Sequence, residues 1–149
     1  MDKKIIAKNK KFYYNKDMQE FQAQIDFWKK SAQRSFDAAR VLFENKHYDH
    51  CLFFCHLSLE KLFKGLVVRN TKKPAPYIHD LAHLANLAKL KLEKEQIKNL
   101  RIITTFNISG RYQEDKYAFY KKCDKEYSKN YLEISKKLFL WLKKEYQKK

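Results

Sequence analysis

YDHCLFFCHLSLEKLFKGLVVRN, Tyr48 to Asn70, is the stretch that decides the fold. Its 23 residues contain no proline, and Cys51, Leu52, Phe53, Phe54, Cys55, Leu57, Leu59, Leu62, Phe63, Leu66, Val67 and Val68 put apolar side chains on nearly every side. A helix of that length runs about 34 Å. Being apolar almost all round, it has to be covered by neighbours, which makes it the central helix of a bundle. His56, Glu60 and Lys64, spaced i, i+4, i+8, form its continuous polar stripe. With His50, His56, Glu60, Lys61 and Lys64 inside it, the run falls well short of the roughly 20 apolar residues that a membrane span needs.

The rest of the composition agrees with a helical domain. At 149 residues, 44% hydrophobic and 15% aromatic, the chain has enough material for one core without disulfides or a structural metal. Two glycines and two prolines leave little for a turn-rich β fold, so the expected class is all-α. Three cysteines, two of them on the central helix, suit reduced thiols. With no apolar run of secretory type near Met1, the expected location is the cytoplasm. The net charge of +16 points towards an anionic partner, RNA or a nucleotide. Against it, lysine outnumbers arginine 28 to 5 and is spread along the whole chain, as a general codon bias would also leave it.

Outward from the central helix, Asn45, Lys46 and His47 form a turn so short that the preceding helix must lie antiparallel. That helix is read from Asp17 to Glu44, with Ile25, Trp28, Ala32, Ser35, Ala39 and Leu42 recurring at three and four residues. Residues 1–17, with Lys3, Lys4, Lys8, Lys10, Lys11 and Lys16, read as a loose basic arm, and 18–149 as a single domain. After Asn70 the prolines at 74 and 76 break the chain. A short helix is expected from His79 to Leu90 and a fourth main helix from Glu93 to Ser109, stopped by Gly110. An aromatic, charged loop is expected over Arg111 to Lys122, and a last helix from Asp124. The architecture is an up-and-down four-helix bundle with one additional short helix.

Three blocks occur in order along this scaffold: Trp28, Ala32, Ala39 and Leu42 with Tyr48; LEKLFKGL at Leu59 to Leu66; and HDLAHL at His79 to Leu84, followed by GRYQED at Gly110 to Asp115. Together they resemble the HEPN domain family, with its A-E-K-x-L-K-A/G block, its H-D-L helix start and its A-R-Y-P-D segment. The resemblance implies a helical bundle that usually dimerises and works with RNA or nucleotides. It also implies a nucleotidyltransferase-type protein as a partner, in a toxin-antitoxin type of system. Ribonuclease members cut RNA without metal, using an R-x4-6-H motif near the end of the fourth helix. Here Arg111 at that place is followed by no histidine. Arg40 and His47 match the spacing, but at the first hairpin turn. The nearer likeness is the R-Y-P-D subgroup, with Arg111 and Tyr112 on identity, Gln113 in the proline slot and Glu114 in the acidic one.

The resemblance therefore implies binding without catalysis. Arg111 would contact phosphate, Tyr112 would stack on a base, Asn107 would hydrogen-bond, and Lys64 would add charge. Glu60 and Lys61, in the family's E-K block, read as site-supporting residues. Glu60 is expected to pair with the loop around Arg111 or with a dimer mate, because a charge on an apolar helix needs a partner. Asp80 reads as a helix cap. The alternatives are a metal-independent ribonuclease with a rearranged site, for which His47 and His79 are the candidate acid or base, and a protein-interaction module. No cofactor is expected. No metal is expected either: His79 and His83 share a helix face but are only two ligands, and His56 is turned by about 100° from Cys55 on a helix.

Overall fold

The computed structural model describes residues 2–149. It contains six helices: α1 (Lys3–Glu44), α2 (Tyr48–Thr71), α3 (Leu81–Leu87), α4 (Lys94–Thr104), α5 (Gln113–Lys122) and α6 (Lys125–Glu145). No strand occurs among the described residues. α2 is the central helix, and the other five pack on it. Its side chains Leu52, Leu59, Leu62, Phe63 and Leu66 are fully buried, each contributing about 1.5–3 kcal/mol of transfer free energy.

The contacts set the direction of each helix. Phe43 lies against Tyr48 at one end of α1, and Trp28 against the Lys64 ammonium at the other, so α1 runs antiparallel to α2. α3 runs with α2: His79 meets His56, and Asn70 donates to the Ala88 carbonyl at 2.7 Å. α4 returns, its Thr104 hydroxyl accepting from the amide of Leu81 at the start of α3. α6 runs parallel to α2, with Ser135 beside Cys55 and the Tyr146 hydroxyl donating to the Leu62 carbonyl at 2.5 Å. These directions make the up-and-down bundle, with two short helices rather than one.

α3 is shorter than the expected 79–90, covering only Leu81–Leu87, and three further boundaries differ from the sequence reading. The N-terminal arm is not loose: α1 begins at Lys3, where Asp2 caps it by accepting from the Lys4 amide. Residues 3–17 contain no glycine or proline, so nothing stops the helix from growing outward from the packed part. Burial on α1 nevertheless begins only at Ile25. α4 ends five residues early, at Thr104. There the Thr104 and Thr105 hydroxyls bond back to the carbonyls of Leu100 and Ile102, and tight turns at Thr105, Phe106 and Asn107 replace the helix. The segment expected as a loop is α5, which has Glu114 and Asp115 in its first turn and Lys121 and Lys122 in its last, both arranged to offset the helix dipole.

One close approach fixes the bundle. Gly65 of α2 faces Trp28 and Tyr146, and a Cβ there would lie 2.2 Å from the Tyr146 hydroxyl oxygen and 3.0 Å from Trp28 Cβ. The glycine is thus needed for contact between three helices. Gly65→Val should cost about 1–3 kcal/mol through overpacking, read as a lower melting temperature. Because the phenol oxygen is the nearest obstacle, the loss should be smaller in a Tyr146→Phe background. Strictly additive losses would show that Tyr146 is not the group Gly65 accommodates.

Candidate functional site

The polar stripe of α2 is sealed inside the fold. His56, Glu60 and Lys64 are all buried. His56 Nε2 donates to the His79 carbonyl at 2.9 Å, which requires the Nε2–H tautomer and leaves a buried Nδ1 without a partner. Burial pushes the pKa of this imidazole down, opposed by its bond to the His79 carbonyl and by Glu60. His56 is therefore a neutral structural donor. Glu60 accepts from His79 Nδ1 and pairs with the Lys64 ammonium at 3.4 Å. That ammonium also sits 5.8 Å over the Trp28 ring. Lys61 turns the other way and donates to the Ser35 hydroxyl at 2.8 Å.

This arrangement corrects two expectations. Glu60 is matched by His79 and Lys64, not by the loop around Arg111. Lys64, spent on Glu60 and only 8% exposed, offers no free charge to a ligand at the surface. Both follow from one cause: a carboxylate taken out of water has to be met by donors close by. His79 is a different case. Its ring is 62% exposed, with Nδ1 held by Glu60 and no partner on Nε2 among the described residues. Asp80 caps α3 as expected, accepting from the His83 amide at 3.2 Å.

Arg111 and Tyr112 lie on the connection between α4 and α5, and both are exposed. Phe106 anchors that connection, since its buried ring meets Phe119 of α5 at 5.6 Å and Tyr131 of α6 at 5.3 Å. Asn107 is half-buried. Because α4 stops at Thr104, Asn107 and Arg111 do not follow each other up one helix face. Gly110, with φ of 78°, turns the chain between them. Tyr112 is the N-cap residue of α5, and Gln113 is the first helical position. A proline is well tolerated at such a position, so glutamine in the proline slot leaves the helix start in place. Glu114 is exposed in the first turn of α5.

What sequence reading missed is the rest of α5. This helix buries no residue, yet Tyr112, Tyr117 and Tyr120 are 82%, 59% and 60% exposed. The Tyr117 and Tyr120 rings are near-parallel at 6.5 Å, and the Lys121 ammonium sits 4.7 Å over Tyr117. Lys116 and Lys122 add further charge. The signal was present in the tyrosine and lysine content, but a helix that faces water shows no apolar periodicity to announce it.

The HEPN domain model matches residues 25–146, from the first buried residue of α1 to the aromatic ring that closes on Gly65. The chain belongs to the HEPN family. HEPN domains are helical domains of nucleotide and RNA biology, and the six-helix structure agrees with that fold. No curated protein and no solved structure matches the chain. No helix among the described residues is long and apolar enough to cross a membrane.

The remaining candidates lie apart from these groups. His47 precedes α2 with no side-chain cap bond, and Arg40, its partner in the spacing match, is tied to Asp37 at 2.5 Å. Cys51, Cys55 and Cys123 are free and buried. The neighbouring Cys51 thiol and burial push Cys55 well up, and burial lifts Cys123 to about 12, so neither is a ready thiolate. No group of three metal-ligating side chains occurs among the described residues.

The depressed His56 pKa gives the HEPN fold a signed pH dependence. The unfolded imidazole titrates near 6.5 and the folded one lower, so the unfolded chain binds more protons between the two values. This contribution to stability is complete above the unfolded pKa and is lost as pH falls towards the folded one. Urea unfolding should therefore show stability falling from neutral pH to about pH 5, with a shallower fall in His56→Gln, whose amide can still donate to the His79 carbonyl. An unchanged slope in that variant would remove His56 as the cause.

Proposed function

We propose that this HEPN domain binds single-stranded RNA on the ridge formed by Arg111, Tyr112 and α5, without cutting it. The observation that carries this reading is an aromatic and cationic segment in which no residue of α5 is fully buried: Tyr112, Tyr117 and Tyr120 stand in solvent among Arg111, Lys116, Lys121 and Lys122. Tyrosine faces stack on bases with little regard to sequence, each stacked base contributing about 1–3 kcal/mol. Arg111 makes no ion pair among the described residues, which leaves its fork free for phosphate. Asn107 lies behind the turn as a further polar contact. Glu114 and Asp115 bound the ridge on one side and disfavour phosphate there. The absence of R-x4-6-H at the family position supports binding over cleavage. Association with a second copy or a nucleotidyltransferase-type protein is part of this proposal, supported by exposed Phe27 and Val41 on α1 and by Ile5, Phe12 and Tyr13 on its N-terminal extension. A toxin-antitoxin setting in the cytoplasm would fit such a pair.

A gel-shift series with a short labelled RNA tests this reading. Wild type should shift it in a salt-sensitive manner. Arg111→Ala should weaken binding by about tenfold, the loss of one charge-assisted contact, and flatten the log–log salt dependence by about 0.7. A wild-type affinity unchanged by Arg111→Ala and by Tyr117→Ala would overturn the assignment.

A second reading is favoured by one observation. His79, with Nδ1 donating to buried Glu60 and Nε2 open to solvent, has the geometry of an oriented general base or acid. In the same assay with EDTA present, the expected result is intact RNA. Cleavage by wild type that disappears in His79→Gln would make the protein a metal-independent ribonuclease instead.

A further inference from the structure

The groove between α1 and α2 contains a cation pair that the protein does not neutralise. Its cavity, of about 350 Å³, is lined by Ser31, Arg34, Ser35 and Ala38 of α1 and by Phe54 and Lys61 of α2. The Lys61 ammonium donates one hydrogen bond, to the buried Ser35 hydroxyl, and retains two further N–H groups. No ion pair reaches either cation among the described residues. The carboxylates that could serve are engaged elsewhere: Asp37 holds Arg40 and Gln33, and Glu60 holds His79 and Lys64. The environment acts against the lysine as well. Partial burial pushes the Lys61 pKa down and the Arg34 guanidinium adds to this, with only Glu60 opposing.

We propose that this groove is a binding site for a phosphate monoester. A phosphate dianion there would receive N–H groups from Arg34 and Lys61 and a hydroxyl hydrogen from Ser31, replacing repulsion between two cations by charge-assisted hydrogen bonds. The cavity is of the size that small ligands occupy. Phe54 forms an apolar wall beside the phosphate position, able to take the flat face of a base. The site is thus suited to a nucleoside monophosphate or to the 5′-phosphate end of an RNA. It shares no residue with the α5 ridge, so either assignment can fail without the other.

Isothermal titration with AMP, and with a short RNA carrying either a 5′-phosphate or a 5′-hydroxyl, tests the site in wild type, Arg34→Gln and Lys61→Met. The expected result is AMP binding, or a gain in RNA affinity from the 5′-phosphate over the 5′-hydroxyl on top of what the α5 ridge contributes, that weakens by about tenfold or more in each variant, the loss of one charge-assisted contact. Tight AMP binding would identify a free nucleotide as the ligand. Preference for the phosphorylated RNA, with AMP weak, would identify an RNA end. Phosphate should also raise the melting temperature of wild type but not of Lys61→Met, which itself should fold at least as stably because a desolvated charge has been removed. No AMP binding together with no gain from the 5′-phosphate, or an AMP affinity or 5′-phosphate gain that both variants retain, would overturn the proposal.

Discussion

A carboxylate buried on the central helix constrains much of this structure. Glu60 lies on α2 where neighbours cover nearly every side, and a charge in that position is tolerated only if donors reach it. Lys64 supplies one from the next turn, and His79 supplies another from the entry to α3. Meeting this requirement brings the chain after the proline segment back across α2. His56, one turn before Glu60, takes the His79 carbonyl and fixes the same crossing from its other side. The polar stripe therefore acts as a register mark for α3, and Asp80 begins that helix immediately afterwards.

The same requirement decides which groups remain for function. Lys64 and His56 are consumed by the fold, so the surface available to a ligand is supplied by elements that make no such commitments. α5 is one, because Phe106 holds its base with a cluster of aromatic rings while Tyr117, Tyr120, Lys121 and Lys122 remain in solvent. The α1–α2 groove is another, because Asp37 of α1 and Glu60 of α2 face other partners. His79 stands between the two classes, with one ring nitrogen committed to the fold and the other free.

Much of the fold could be read from particular residues. The all-round apolar run from Tyr48 marked α2 within one residue of its end, and the short Asn45–His47 turn forced the hairpin. Asp80 announced its helix as a cap, and the last helix was placed to within one residue of its start, where Asp124 proves to be the cap. The failures have physical causes. Residues 3–17 show no apolar periodicity because they project from the bundle, yet they stay helical because no breaker interrupts them. α5 was hidden for the same reason. The early end of α4 depends on threonine hydroxyls competing for backbone carbonyls, which patterning does not show. The family blocks were legible and the family is right; the i, i+4 spacing of Glu60 and Lys64 already allowed their pairing, whereas the His79 partner of Glu60 depended on a crossing chain that spacing cannot reveal.

The most direct test of where this HEPN domain meets its ligand is ultraviolet cross-linking of wild-type protein to a single-stranded RNA, with the attached peptides mapped by mass spectrometry. The α5 ridge predicts cross-links at Tyr112, Tyr117 and Tyr120, whose rings would lie against bases. Cross-links confined to the N-terminal extension of α1, around Phe12 to Tyr14, would contradict that placement and make the basic arm the contact surface.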